Sequence, residues 1–170
     1  MRHMSHDPVS QSIRKTTDRS RGFTLIEMLI TIVVLGILAA VVYPNLSSYV
    51  KKGRRSEAYN ALNAVQQAQE RHRANNSTFA TSLTDATTAS PPGLGFGSTS
   101  TASGLYTLSL DSVSATGYAV IATAVSGRSQ ADDSNCQQLR VRSASGSLFY
   151  GSASGDSAFT ESSNNKCWSR

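Results

Sequence analysis

Glu27 is the only acidic or basic side chain between Arg21 and Lys51. The stretch from Phe23 to Tyr43 is otherwise apolar and 21 residues long. As a helix it would rise roughly 32 Å, the thickness of a bilayer's hydrocarbon core. An ionised carboxylate among apolar helices is costly unless it is paired, so Glu27 marks a place where a cation must be supplied. The other residues able to do chemistry are sparse. Two cysteines, Cys136 and Cys167, lie far downstream and are consistent with a disulfide in an oxidising compartment, or with two buried thiols. Two of the three histidines, His3 and His6, precede Gly22, and His72 reads as a helix-end or interfacial residue. Asp132-Asp133 offers two carboxylates to calcium, but one acidic pair on a polar loop is more often solvated. The remaining acids show no pairing that spacing alone can argue. With no Gly-x-Ser-x-Gly, phosphate loop or metal-spaced cluster, the sequence points away from an enzyme, a cofactor or a metal site.

Arg21-Gly22-Phe23-Thr24-Leu25-Ile26-Glu27 resembles the class III signal of the type IV pilin family, Gly-Phe-Thr-Leu-x-Glu. The resemblance implies that a prepilin peptidase cuts between Gly22 and Phe23 and methylates the new amino terminus at Phe23. It makes Glu27 the fifth residue of the mature chain and the assembly residue, with the charged α-amine of Phe23, in its own or a neighbouring subunit, as the partner. Residues 1–22 are then a leader. Five basic and two acidic side chains fall in that stretch, so only +2 of the formal net charge of +5 remains after it. Basicity is thus weak ground for nucleic-acid binding. Arg128, Arg140, Arg142, Lys166 and Arg170 could form a patch that meets DNA during uptake. The aromatic residues are not interleaved with these charges as a stacking surface would need, which leaves nucleic acid an open but disfavoured partner.

Two other readings of the first 43 residues exist. An ordinary secretory signal could be cut near Leu38-Ala39-Ala40, although it would not need Glu27. A plain uncleaved anchor is the second. Arg14, Lys15, Arg19 and Arg21 on one flank are nearly balanced by Lys51, Lys52, Arg54 and Arg55 behind the other, so charge bias does not orient the segment. Within it, Gly36 and Pro44 weaken the helix, Pro44 by removing a backbone hydrogen bond. In the resembled family such a region extends as subunits pack, which makes these two residues the expected points of flexibility.

After Pro44 the pattern becomes amphipathic. Leu46, Tyr49 or Val50, Ala58, Ala61, Leu62, Val65, Ala68 and His72 recur at three- and four-residue spacing, which predicts a helical half over 45–76 with a stop near Asn75-Asn76. Residues 77–104 read as a long loop, in which Phe79 and Phe96 could reach the core. Four strands are expected: from Tyr106 to Leu110, Tyr118 to Val125, Gln137 to Arg142 and Ser147 to Tyr150. The tail from Gly151 to Asn165 has little to form a core and needs a staple. A Cys136–Cys167 bridge would close about 30 residues, worth roughly 3–4 kcal/mol by chain entropy. The resembled pilins have such a C-terminal bridge, and Cys167-Trp168 is similar to the ending of minor pilins.

The fold class expected is α+β, a long N-terminal helix packed on a four-stranded antiparallel sheet, the pilin roll. The segments are a leader (1–22), a transmembrane and filament-core helix half (23–44), an amphipathic half (45–76), and a globular region (77–170). The function implied is that of a minor pilin, held once across the bacterial inner membrane and then assembled into an extracellular pilus for motility, adhesion or DNA uptake. Its partners would be other pilin subunits, prepilin peptidase and the inner-membrane assembly machinery. A type II secretion pseudopilin shares the same N-terminal chemistry, and a membrane-anchored binding module that never polymerises is the rival of a different class.

Overall fold

The computed structural model describes residues 22–168, except for the side chains of Pro44 and Asn45. Most of the expected leader, and Arg170 of the expected basic patch, lie outside the described residues. The chain divides between Val42 and Tyr43 into two compact units.

Helix α1 spans Leu25–Arg73 and includes both Gly36 and Pro44. It starts where Thr24 supplies an N-cap: the Thr24 hydroxyl accepts the Glu27 backbone N–H at 3.2 Å, and the Thr24 carbonyl accepts that of Met28. It ends just before the expected Asn75-Asn76 stop, where the Asn76 side chain donates to the His72 carbonyl at 2.8 Å and satisfies an orphan acceptor of the last turn.

Up to Val42, α1 is covered by nothing. Its large apolar side chains range from 48% exposed at Val34 to 84% at Leu25. Beyond Tyr43 the helix acquires a buried stripe: Ala58, Leu62, Val65 and Ala68, at the spacing of one helical face. Leu46, Tyr49 and Val50 were expected to share that stripe, yet they are exposed. Their spacing is right, but the sheet's core begins only at Ala58.

The sheet is an antiparallel meander in the order β1-β2-β3-β4: β1 (Tyr106–Asp111), β2 (Gly117–Ala124), β3 (Gln138–Ala144) and β4 (Ser147–Ala153). Register places Leu108, Ala122, Leu139 and Ser152 in one row, and Leu110, Val120, Val141 and Tyr150 in the next. Leu108, Val120 and Leu139 join Ala58, Leu62 and Val65 in one core, as the alternation of the strands requires. Ser145 and Gly146, both at positive φ, form the two-residue turn between β3 and β4; this conformation matches strand twist and pins the register of that hairpin.

The loop after α1 is tied down more firmly than its composition suggests. Phe79 and Leu83 enter the core and Phe96 packs on it. Gln69, fully buried, acts like a strand edge: its amide donates to the Ala80 carbonyl and accepts the Ala80 N–H, both at 2.9 Å. The Ser/Gly tail also differs from expectation, because β4 continues through Gly151, Ser152 and Ala153, all buried. Small side chains permit this. A Cβ at Gly151 would stand 3.1 Å from the Glu161 side chain, which crosses close by, and Ser152 pairs with Thr160. The expected bridge is formed between Cys136 and Cys167, both buried.

Candidate functional sites on the helix and the sheet

On the N-terminal unit, Gly22 and Phe23 precede the first helical turn, and a side chain at Gly22 would meet nothing within 4 Å. Glu27 sits at the third helical position, where unpaired backbone N–H groups and the helix dipole favour an acid. It is exposed, as are Phe23 and Gly36. Among the described residues one helix is long and apolar enough to cross a membrane, and none of its apolar window is buried inside the chain.

On the second unit, two ionic clusters appear that spacing did not reveal. Arg55 on α1 grips Asp133 with both Nε (2.6 Å) and Nη2 (2.8 Å), and Gln130 donates to the same carboxylate at 2.8 Å. Asp133 is buried, so its expected reading as half of a solvated pair is corrected: the Arg55 hydrogen bond holds it inside, and the same bond raises the guanidinium pKa. Lys51 donates to the Asp132 carbonyl, and Arg54 to the Ser129 hydroxyl, so the 126–135 loop is latched onto α1. Among the described residues no group of three metal-ligating side chains forms.

The second cluster lies on the sheet face turned away from the core. Arg140 reaches Glu161 at 2.6 Å, and Arg142 forks onto both its oxygens at 3.0 and 2.5 Å. The hydrogen bond from Arg142, ahead of that from Arg140, holds the Glu161 carboxyl below the usual carboxylate range. Each guanidinium also covers a ring: Arg140 stands 4.0 Å from the Phe159 centroid and Arg142 4.2 Å from that of Phe149. The charges and aromatics that are separate along the sequence are therefore interleaved in space, because the Ser145-Gly146 turn sets Phe149 opposite Arg142. Arg128 belongs to a different place, an exposed position on the β2–β3 loop.

Comparison with known proteins bears on both units. The family described as type IV minor pilin ComP, DNA uptake sequence receptor, matches residues 44–140, more than half of the chain. The chain belongs to this minor-pilin family. A prokaryotic N-terminal methylation motif matches residues 17–43 of the minor pilin. Type II secretion system core protein G of Escherichia coli (strain K12) is 34% identical over 83 residues, 45% of this chain and 57% of that protein. The type IV major pilin protein PilA of Myxococcus xanthus (strain DK1622) is 40% identical over 58 residues, 34% of this chain and 26% of PilA. Fimbrial protein EcpC of Eikenella corrodens is 50% identical over 40 residues, 24% of this chain and 26% of EcpC. The minor pilin thus spans little more than half of the first of these relatives and about a quarter of the other two. Its family is structural, and the helix followed by an antiparallel sheet is the pilin fold.

Proposed function

We propose that this minor pilin is cut between Gly22 and Phe23 by a prepilin peptidase and methylated at Phe23. Residues 23–43 hold it across the bacterial inner membrane, and it then joins other pilin subunits in a fibre. One observation carries the reading: from Phe23 to Val42 every large apolar side chain is exposed, with Glu27 as the only charge. Lipid would cover the apolar surface but would leave the carboxylate unpaired; a bundle of like segments supplies both cover and the α-amine of Phe23. Gly36 and Pro44 are the places where the helix would yield during packing. The role is mechanical rather than catalytic.

The test is assembly of Glu27→Ala in cells that carry the peptidase. The variant should be cut at Phe23, as intact mass will show, yet be depleted at least about tenfold from sheared fibres. Wild-type incorporation would overturn the pairing role, and a chain uncut at Phe23 in wild-type cells would overturn the processing. The secretion pseudopilin is the second reading, favoured by the likeness to core protein G. Recovery in pili from cells without a type II system separates the two.

The family description adds DNA carrying an uptake sequence as the ligand of the displayed unit. Arg140 and Arg142 share their charge with Glu161, whereas Arg128 is exposed on its loop with no acid partner among the described residues. Arg128→Ala should weaken duplex binding and flatten its salt dependence by about one phosphate contact.

A further inference from the structure

We propose that the second unit binds a neutral carbohydrate in the slot between α1 and the edge strand β4. Leu148 and Tyr150 lie in register with Ser143 and Val141, which are buried on the helix-facing side of the sheet. The two β4 residues nevertheless remain 38% and 40% exposed. What is left is a cavity of about 440 Å³, within the range of small-ligand sites, whose remaining walls come from Tyr59 and Asn63 on α1, Phe149, Trp168, and the turn at 161–163.

Its aromatic wall is fixed before any ligand arrives. Tyr59 and Trp168 stack with centroids 4.9 Å apart at 26°, and Tyr150 leans on Trp168 at 5.0 Å and 60°. The Trp168 indole N–H donates to the Gly151 carbonyl at 2.9 Å, and the Tyr59 hydroxyl donates to the carbonyl of Cys167, itself held by the disulfide. Rings held in this way lose little freedom when something packs on them.

Charge decides the ligand class. Among the described residues Glu161 is the only carboxylate at the slot, and both its oxygens are engaged by Arg140 and Arg142. Among the described residues no cation lines the slot, and the guanidinium groups nearest to it are already paired with Glu161, so a phosphate ester or carboxylate would find no free counter-charge, and an amine would compete with those two guanidinium groups. The groups offered are aromatic surface on one side and the neutral amide and hydroxyls of Asn63, Ser162 and Ser163 on the other. A pyranose ring has the matching form, with C–H faces that pack on aromatic surface and hydroxyl edges that hydrogen-bond.

Trp168 is the only tryptophan of the chain, so its fluorescence reports the slot alone. The full processed chain, in a detergent without a sugar head group, is titrated with glucose, galactose, N-acetylglucosamine and their β-linked disaccharides. Glucose 6-phosphate and AMP serve as charged controls. A saturable change in Trp168 emission is expected with at least one neutral sugar and with neither control. Binding should weaken at least about tenfold in Asn63→Ala and be abolished in Asn63→Tyr, which fills the slot from an exposed helical position; both should melt like wild type. The proposal is overturned if no neutral sugar gives a saturable change, if the controls bind as well as the sugars, or if both variants retain wild-type affinity. It is equally overturned if Trp168 emission responds only to polymerisation, which would give the slot to a neighbouring subunit.

Discussion

The two halves of α1 use the same kinds of residue to opposite ends. From Phe23 to Val42 the helix is apolar on every side and buries nothing within its own chain; from Ala58 to Gln69 it is apolar on one stripe and that stripe is fully covered. An all-round apolar helix must be finished by something else, lipid or other helices, whereas a striped one is finished by its own sheet. On the proposed reading the first half carries assembly and the second carries stability, and the two should respond independently to mutation.

The largest effect that could break this comparison comes from paired substitutions of leucine by alanine. Leu62→Ala removes a fully buried side chain from the core and should cost about 2–5 kcal/mol, read as a lowered melting midpoint of the second unit. Leu35→Ala, on a side chain 63% exposed, should leave that midpoint unchanged and alter only incorporation into fibres. If Leu35→Ala also lowered the midpoint, the halves would not be separate in function.

A second, somewhat smaller effect tests the latch at Arg55. Arg55→Ala leaves the Asp133 carboxylate buried with only Gln130 to bond it, which should cost about 3 kcal/mol and open the 126–135 loop to protease. The double variant Arg55→Met with Asp133→Leu should recover much of that loss, since burying an apolar pair avoids the desolvation of both charges. Failure of the double variant to recover would show that the loop is held mainly by Lys51 and Arg54.

That latch also shows where the sequence stops being readable. The signal at Gly22-Phe23, the acid at Glu27, the stripe of Ala58, Leu62 and Val65, and the alternation of Leu108, Val120 and Leu139 are local patterns, each set by one solvent or one facing layer. The Arg55–Asp133 pair joins residues 78 apart, and its partners become neighbours only after the sheet has docked on the helix. Gln69 against Ala80 and Glu161 between Arg140 and Arg142 are also set by the folded chain, the first by the return of the loop after α1 and the second by the tail crossing the outer face of the sheet. One exception was accessible. The Ser145-Gly146 dipeptide is a hairpin turn signal, and counting outward from it sets Phe149 opposite Arg142 and would have exposed the arginine and aromatic pairing. The extension of β4 through Gly151 could not be found in this way, because its small residues are selected by the tail that crosses them.

The smallest effect concerns the Glu161 cluster, which is stabilising only while its carboxylate is ionised. Its folded pKa is depressed by Arg142 and then Arg140, so the native state binds fewer protons than the unfolded chain around the unperturbed carboxylate value near 4.5. The contribution is therefore complete above that pH and is lost as the pH falls through the lower folded value. Glu161→Gln should reduce stability by roughly 1 kcal/mol at neutral pH, and the gap between variant and wild type should close on acidification. Melting curves at neutral pH and at mildly acidic pH measure that gap directly. A gap that stayed constant would mean that Glu161 acts through its shape against Gly151 and Phe159 rather than through its charge. Since neither residue belongs to the N-terminal half of α1, incorporation into fibres should be the same for both proteins at neutral pH.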